Sequence, residues 1–431
     1  MNTLLNTQII GGPVPWLLTV LAALFIVILL ARAPRKRWLL LAASGALAAA
    51  LISLIVVWVA DATSLFEIPL PVDAAVWTVV TFAAIGLAIV SLWKTGWWRR
   101  VLAVLGILVF AVAGTVQVNA AFGLDNTVGD LLGVVVRNPI ALPKATSTET
   151  AGTTSLAETW VPPRSMPEDG KTGTVVIPAT VSKFHAREAG LYLPPAALVK
   201  DAPALPLVIM MMGYPGTPDA GPISTVMNSF AHSHHGLAPI VIVADQIGHG
   251  ADPACADSTA LGHAATYIKT DVVNWAKAHL RVIENPRDWV IAGYSNGATC
   301  AVKYAAQEPG VFGNLMAVSP ELYPGTHYSQ KVLETVYGGN SAAWNADKPQ
   351  AILAAHHGSS LYKSVHAVFT TGALDAAFGP QTRQLAADAR EAGMNVSIYT
   401  IPGVAHVGPN LTKGLTRAFD ALAPVLGLSA A

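Results

Sequence analysis

Charge is what this chain has least of. Asp, Glu, Lys and Arg make up 12% of its 431 residues, about half the roughly 25% usual in soluble domains. The shortage is uneven: the first third carries few charges between long apolar runs, and the rest reads as an ordinary globular domain. A length of this size suggests two or three domains, and the asymmetry puts one of them in lipid. Acids and bases balance at 26 each for a formal net charge of zero, so no basic surplus points to nucleic acid or another polyanion as a partner. No internal repeat is evident. Cysteine is nearly absent, with two residues in the chain, which leaves room for one disulfide at most.

The apolar third divides into four runs, roughly Val14 to Ala31, Trp38 to Ala60, Ala74 to Trp93 and Val101 to Phe122. Each is near the ~20 residues that cross a hydrocarbon core. Tryptophans stand at or near several ends (Trp16, Trp38, Trp58, Trp93, Trp97, Trp98), where interfacial side chains belong. A cleaved signal peptide fits the first run poorly, because no Lys or Arg precedes it and three more runs follow. The basic loops are "RAPRKR" after the first run and "KTGWWRR" after the third, whereas the loop between the second and third has no Lys or Arg. Positive-inside bias then puts both basic loops in the cytoplasm, and the N-terminus and everything after Phe122 outside. No ionisable residue stands well inside a run, so an anchor is expected rather than a transport path. Gly123 to Pro139 reads either as an amphipathic surface helix or as structured linker. Lys144 to Gly173, rich in Thr, Ser, Pro and Gly, reads as a flexible stalk.

From about Thr174 short β-rich runs alternate with helix-length segments, the pattern of an α/β sheet. The runs are "GTVVIPATV", "REAGLYLP", "LPLVIMMMG", "PIVIVADQ", "DWVIAGYS", "NLMAVSP", "VHAVFTTG" and "NVSIYTIPG". The later ones are nearly continuous apolar stretches, as in parallel strands buried on both faces. Amphipathic segments between them run from Thr266 to Leu280, Ala298 to Gln307, Gln381 to Ala392 and Leu411 to Leu426. Eight strands in this order match the α/β-hydrolase plan. The domains expected are therefore a four-span anchor over 1–123, a linker over 124–173 and an α/β-hydrolase domain over 174–431.

Gly293-Tyr294-Ser295-Asn296-Gly297 fits G-x-S-x-G. With a strand before it and a helix after it, the motif is the sharp turn that exposes a nucleophilic serine hydroxyl. Ser295 alone is a weak nucleophile and needs a base, itself oriented by an acid. In this fold the order is Ser, then Asp or Glu, then His. Asp375 follows the strand "HAVFTTGAL", and His406, in "IPGVAHVGPN", follows "VSIYTI". Asp375 also has the simpler reading of a helix N-cap, and Glu321 and Asp347 are lesser candidates for the acid. An oxyanion needs two donors. One is expected from the N–H of Asn296, and the other from Tyr214 or Met212 in "MMMGYPGTPDAG", with Tyr214 preferred; Pro215 has no N–H to give.

Cys255 lies in the loop after the fourth strand and Cys300 one turn into the helix that begins at Ser295. They are either a disulfide on an oxidising side of the membrane or two buried thiols that never meet. The loop histidines His232, His234, His235, His249, His356 and His357 raise the question of a metal, but no Asp, Glu or Cys completes a ligand set around them. No cofactor is expected.

"DWVIAGYSNGATCAVKYAAQEPGVFGNLMAVSP" resembles the elbow region of the esterase D-like family of α/β-hydrolases, which includes the mycolyltransferases of mycobacteria and corynebacteria. "YIKTDVVNWAKAHLRV" and "PGVAHVGPNLTKGLTRAF" are similar to its pre-elbow helix and its His-bearing C-terminus. The resemblance covers about Gly173 to Leu426. It implies Ser295 as nucleophile, Asp375 as acid and His406 as base. The mycolyltransferases themselves carry Glu as the acid, and "DQIGHGADPACADSTALGH" does not match their Trp-containing segment, so the resemblance carries serine chemistry rather than mycolyl or trehalose specificity. The whole arrangement is similar to membrane-bound esterase-like proteins of actinobacteria, in which cysteines paired at these two places are familiar. The expected function is a membrane-anchored serine esterase or acyltransferase outside the cell membrane. Its substrate would be an ester, with lipid and acylated glycan as candidates. The rival is an envelope scaffold whose hydrolase fold does not turn over.

Overall fold

The structure is a computed structural model that describes residues 2–5, 7–32, 35–62, 70–123, 125, 127–132, 138–142 and 155–430. The chain divides into two compact units, Met1–Val136 and Arg137–Ala431.

The first unit is helical: α1 (Pro13–Leu30), α2 (Arg35–Ala62), α3 (Val72–Ser91) and α4 (Trp97–Phe122). All four are long and apolar enough to cross a membrane. Their outer surface is itself apolar, with Leu24, Val27, Leu40, Leu51, Ile55 and Leu108 among the exposed residues. That is the inverse of a water-facing bundle, which keeps polar residues outside. Helices α2 and α3 cross so closely that a Cβ on Gly86 would overlap the Gly45 carbonyl oxygen, the small-residue contact by which helices associate in lipid. Arg32 donates to the carbonyl oxygens of Trp93 and Lys94 and Arg99 to that of Ala31, so three helix-end carbonyls are satisfied by guanidinium groups. Between Gly123 and Pro139 the only regular element among the described residues is a single helical turn, Val128–Leu131.

The second unit is built on eight strands: β1 (Lys171–Val175), β2 (Ala189–Leu193), β3 (Leu207–Met211), β4 (Ile240–Ala244), β5 (Trp289–Tyr294), β6 (Asn314–Val318), β7 (His366–Gly372) and β8 (Asn395–Ile401). They lie in the order β1-β2-β4-β3-β5-β6-β7-β8. β2 is antiparallel to both neighbours and all other pairs are parallel. Strands β3, β4 and β6 are buried along their whole length, because helices cover both faces of a parallel sheet; this is why they read as unbroken apolar runs. The flanking helices are α5 (Gly221–Ser233), α6 (Val273–His279), α7 (Asn296–Gln307), α8 (Ser329–Thr335), α9 (Ser341–Ala346), α10 (Pro349–Ala355), α11 (Gly379–Ala392) and α12 (Asn410–Leu422).

Two differences from the sequence reading have physical causes. The first strand was expected to begin near Gly173 and run on to Val181, but it starts at Lys171 and ends at Val175. Its free edge is covered by residues 138–140, with Thr174 N donating to the Asn138 carbonyl (2.8 Å) and Ile140 N to that of Thr174 (3.3 Å), which protects the sheet edge. The stretch read as a stalk is described from Ser155, and there it is pinned to the hydrolase unit. Ser155 Oγ donates to the Gly427 carbonyl (2.8 Å), Trp160 Nε1 to that of His235 (3.0 Å) and Gly170 N to Asn228 Oδ1 (2.9 Å). Composition announced flexibility, while Leu156 and Trp160 pack against the core. Residues 144–154 lie outside the described residues.

Candidate active site

The site lies at the C-terminal ends of the parallel strands, where helix N-termini and loops gather in open α/β sheets. β5 ends in the elbow. A Cβ on Gly293 would overlap the Gly297 carbonyl, and one on Gly297 would overlap that of Met211, so only glycine fits either side of the turn. Ser295 at its apex has φ 53 and ψ −121, a left-handed conformation that costs a non-glycine residue of order 1–3 kcal/mol and persists where surroundings enforce it. Its N–H is tied to the Val318 carbonyl at the end of β6 (2.9 Å).

The candidate acid and base follow the last two strands, β7 and β8. A Cβ on Gly372, the last residue of β7, would overlap the carbonyl oxygens of Val404 and Ala405; glycine there lets the loop after β8 cross close above β7. Ala373 N and Leu374 N then bond the Ile401 and Val404 carbonyls (both 2.9 Å), so the two loops are stitched together. His406 Nδ1 lies 2.9 Å from Asp375 Oδ2 and its Nε2 2.9 Å from Ser295 Oγ. Asp375 also accepts the Phe378 N–H on Oδ1 (2.9 Å); the N-cap of α11 is Phe378 rather than Asp375, so Asp375 braces the turn before the helix with one oxygen and meets His406 with the other. Burial pushes the Asp375 carboxyl up, but the hydrogen bond and charge of His406, with the Phe378 N–H and the Ser319 hydroxyl, hold it below the ordinary carboxylate range. A carboxylate on Nδ1 selects the tautomer with its proton there and leaves the Nε2 lone pair for the serine hydroxyl.

Residues that the sequence reading did not single out hold the imidazole in place. Phe378 packs on it at 4.1 Å between centroids and Tyr294 stacks at 5.5 Å. Tyr294 Oη and Asn410 Nδ2 both donate to the His406 carbonyl (2.7 and 2.9 Å). Tyr294 is within the elbow motif and Asn410 is one helical turn after His406, so position near the motif was the available signal; Phe378 offered none.

The other candidates lie elsewhere. Asp347 pairs with the buried Lys303 Nζ (2.5 Å), which also donates to the Cys255 carbonyl (2.8 Å). Glu321 accepts the Thr326 N–H (3.0 Å). Cys255 and Cys300 form a disulfide, Cα atoms 5.2 Å apart, closing a separation of 45 residues. A loop of that size is worth about 4 kcal/mol in the chain-entropy account. Of the histidines read as loop residues, His232 lies in the last turn of α5 and meets Asp169 (3.0 Å), and His234 stacks on Phe230 (3.7 Å). Gly213 approaches the elbow closely: a Cβ there would sit 3.3 Å from Ser295 Cβ. This brings the Gly213–Tyr214 turn beside Ser295; the N–H of Asn296, the first residue of α7, has no carbonyl of its own helix to bond.

Burial drives the Glu321 carboxyl up to about 7, with the Thr326 N–H opposing and the Asp252 charge adding to the rise. Its ordinary value is 4.5, so the folded state holds this proton more tightly than the unfolded chain. The resulting stability is complete below about pH 4.5 and is lost as the pH rises through about 7, on the order of 3 kcal/mol in all. We expect Glu321→Gln to flatten the fall in melting temperature between pH 5 and 8; superimposable profiles would refute this.

Comparison with known proteins agrees with the geometry. The model of the family described as "Putative esterase" matches residues 185–407, a span from just before β2 to just past His406. The chain belongs to this esterase family. It is thereby a serine hydrolase of α/β-hydrolase fold. An uncharacterized protein of Corynebacterium glutamicum is 29% identical over 375 residues, covering 84% of each chain. That share exceeds the hydrolase unit, so the likeness extends into the apolar helices. Among solved structures, an S-formylglutathione hydrolase from Agrobacterium tumefaciens superposes with a TM-score of 0.51 at 16% identity, over 60% of this chain and 97% of its own. A ferulic acid esterase superposes with a TM-score of 0.50 at 16% identity, over 61% and 98%. At such identities the two share the fold.

Proposed function

We propose that the protein is a membrane-anchored serine esterase or acyltransferase acting at the outer face of the cell membrane. The observation that carries the chemistry is the unbroken Asp375–His406–Ser295 relay, with both contacts at 2.9 Å. Ser295 Oγ attacks the ester carbonyl as His406 Nε2 takes its proton, and Asp375 stabilises the imidazolium. The N–H of Asn296 and that of Tyr214 receive the oxyanion. His406 then returns the proton to the leaving alcohol, leaving an acyl-Ser295 enzyme, and water or a second hydroxyl takes the acyl group by the reverse steps. Against the scaffold reading stands the meeting of all three side chains, from three separate segments, at hydrogen-bond distance.

A fluorophosphonate probe tests this. It is expected to label the full chain once, at the peptide bearing Ser295; labelling elsewhere or none at all refutes the reading.

The four apolar helices support the anchor, the basic residues of the 32–37 and 94–100 loops support the orientation, and a disulfide fits an oxidising compartment. An anchor at the envelope favours lipid or acylated-glycan esters. Both native cysteines are in the disulfide, so Ser165→Cys, at an exposed position, reports topology cleanly. An impermeant maleimide is expected to label it on intact cells; labelling only after lysis puts the hydrolase unit inside.

A further inference from the structure

Asn296 has a side chain that the reaction above does not use. It is buried at 3% exposure beside Gln246 at 1% and Asp252 at 5%. Gln246 Nε2 donates to the Met212 carbonyl (2.5 Å) and to Asn296 Oδ1 (3.2 Å). Asn296 Nδ2 donates to Asp252 Oδ2 (2.6 Å), which also accepts the Tyr328 hydroxyl (3.0 Å), while Asp252 Oδ1 accepts the Ala254 N–H (2.8 Å). The partners of this buried carboxylate are an amide, a phenol and a backbone N–H, all neutral. Apolar side chains would fill the same space without the desolvation cost of three polar ones, so packing does not explain them.

Their arrangement does. The chain of bonds joins the two segments that flank Ser295, Met212 just past the end of β3 and Asn296 at the start of α7. In a planar trans peptide the N–H points opposite the C=O, so holding the Met212 carbonyl fixes the peptide by which the chain enters the turn that carries the Tyr214 N–H. The next peptide is set in the same way, because the Gly213 carbonyl accepts the Gly216 N–H (2.8 Å). The far end of this turn is held by Arg187 Nη2, which donates to the Gly216 carbonyl (3.1 Å) and pairs with the buried Asp245 (2.6 Å). The primary amide at position 296 offers an acceptor to Gln246 and a donor to Asp252 at once. The Asp252 loop is itself locked. Ala254 and Cys255 are both left-handed (φ 54 and 56), and the disulfide ties Cys255 to α7, the helix that Asn296 begins.

We propose that Gln246 and Asp252 are positioning residues of the oxyanion hole. They hold the Met212 carbonyl and the Asn296 side chain, and through them the N–H donors that meet the developing negative charge. This rests on Ser295 being the nucleophile.

The test uses the full chain in detergent, p-nitrophenyl butyrate as substrate and an alkyl trifluoromethyl ketone as inhibitor. The ketone adds to Ser295 Oγ to form a tetrahedral oxyanion, and active sites are counted with a fluorophosphonate. Deleting an oxyanion donor outright costs about 10²–10³ in kcat, so misaiming donors is expected to cost about 10- to 100-fold. We expect Gln246→Met and Asp252→Asn to lower kcat per labelled site by that factor with KM within about 2-fold. Ketone binding is expected to weaken in parallel. Should Asp252→Asn fail to fold, Gln246→Met carries the test. A merely structural role would lower the melting temperature and the labelled fraction but leave kcat per labelled site and ketone affinity at wild-type values; that result overturns the proposal. A wild type that neither labels nor loses activity in Ser295→Ala overturns instead the catalytic reading beneath it.

Discussion

Ser295→Ala is expected to lower hydrolysis of an activated ester by about 10⁴- to 10⁶-fold, the range for removing a nucleophile that acts as a unit with its base. The melting temperature should hardly change, because alanine takes the same backbone at the same strain and the Ser295 N–H bond to Val318 is kept. Hydrolysis per mole of folded protein, measured beside the melting curve, separates the two effects. A variant retaining more than about a tenth of wild-type activity would mean that another group attacks the carbonyl.

Asp375→Asn is expected to cost about 10⁴-fold in kcat with the fold intact. Asparagine still accepts the Phe378 N–H on its oxygen, which turns its NH₂ toward His406 Nδ1. Nδ1 must then be the acceptor and Nε2 carries the proton, so the ring faces Ser295 Oγ with a donor where it needs a lone pair. The loss falls on kcat rather than KM, since the carboxylate acts on the imidazole and not on the substrate. Equal activity in the Asn variant would show that the 2.9 Å contact with His406 is not used in turnover.

The two experiments bear differently on what could be read in advance. The elbow was legible because its demands are local: Gly293 and Gly297 are required by backbone contacts within the turn and with β3, and the flanking strand and helix carry distinct periodicities. The parallel strands were legible for a related reason, since burial on both faces leaves no polar alternation. The candidate acid was less so. Asp375, Glu321 and Asp347 all follow plausible elements, and no local signal separates them; what does is Gly372, which lets the loop bearing His406 cross over the end of β7. The stretch before β1 misled for the opposite reason. Its composition is that of a linker, yet single residues such as Trp160 find partners on a surface assembled from distant parts of the chain.

By itself, then, the sequence determined the four apolar helices, the strand–helix alternation and the serine turn, because each depends on periodicity or on backbone sterics within a few residues. Only the tertiary structure decided which carboxylate faces His406, that Cys255 reaches Cys300, and that Gln246 and Asp252 join the two segments flanking Ser295. Those are meetings between loops, and strand order and register set them: β5 lies between β3 and β6 in the sheet though far from β3 in the chain. A hydrogen bond of 2.6 Å between residues 44 apart, such as Asn296 to Asp252, leaves no periodic trace in either segment.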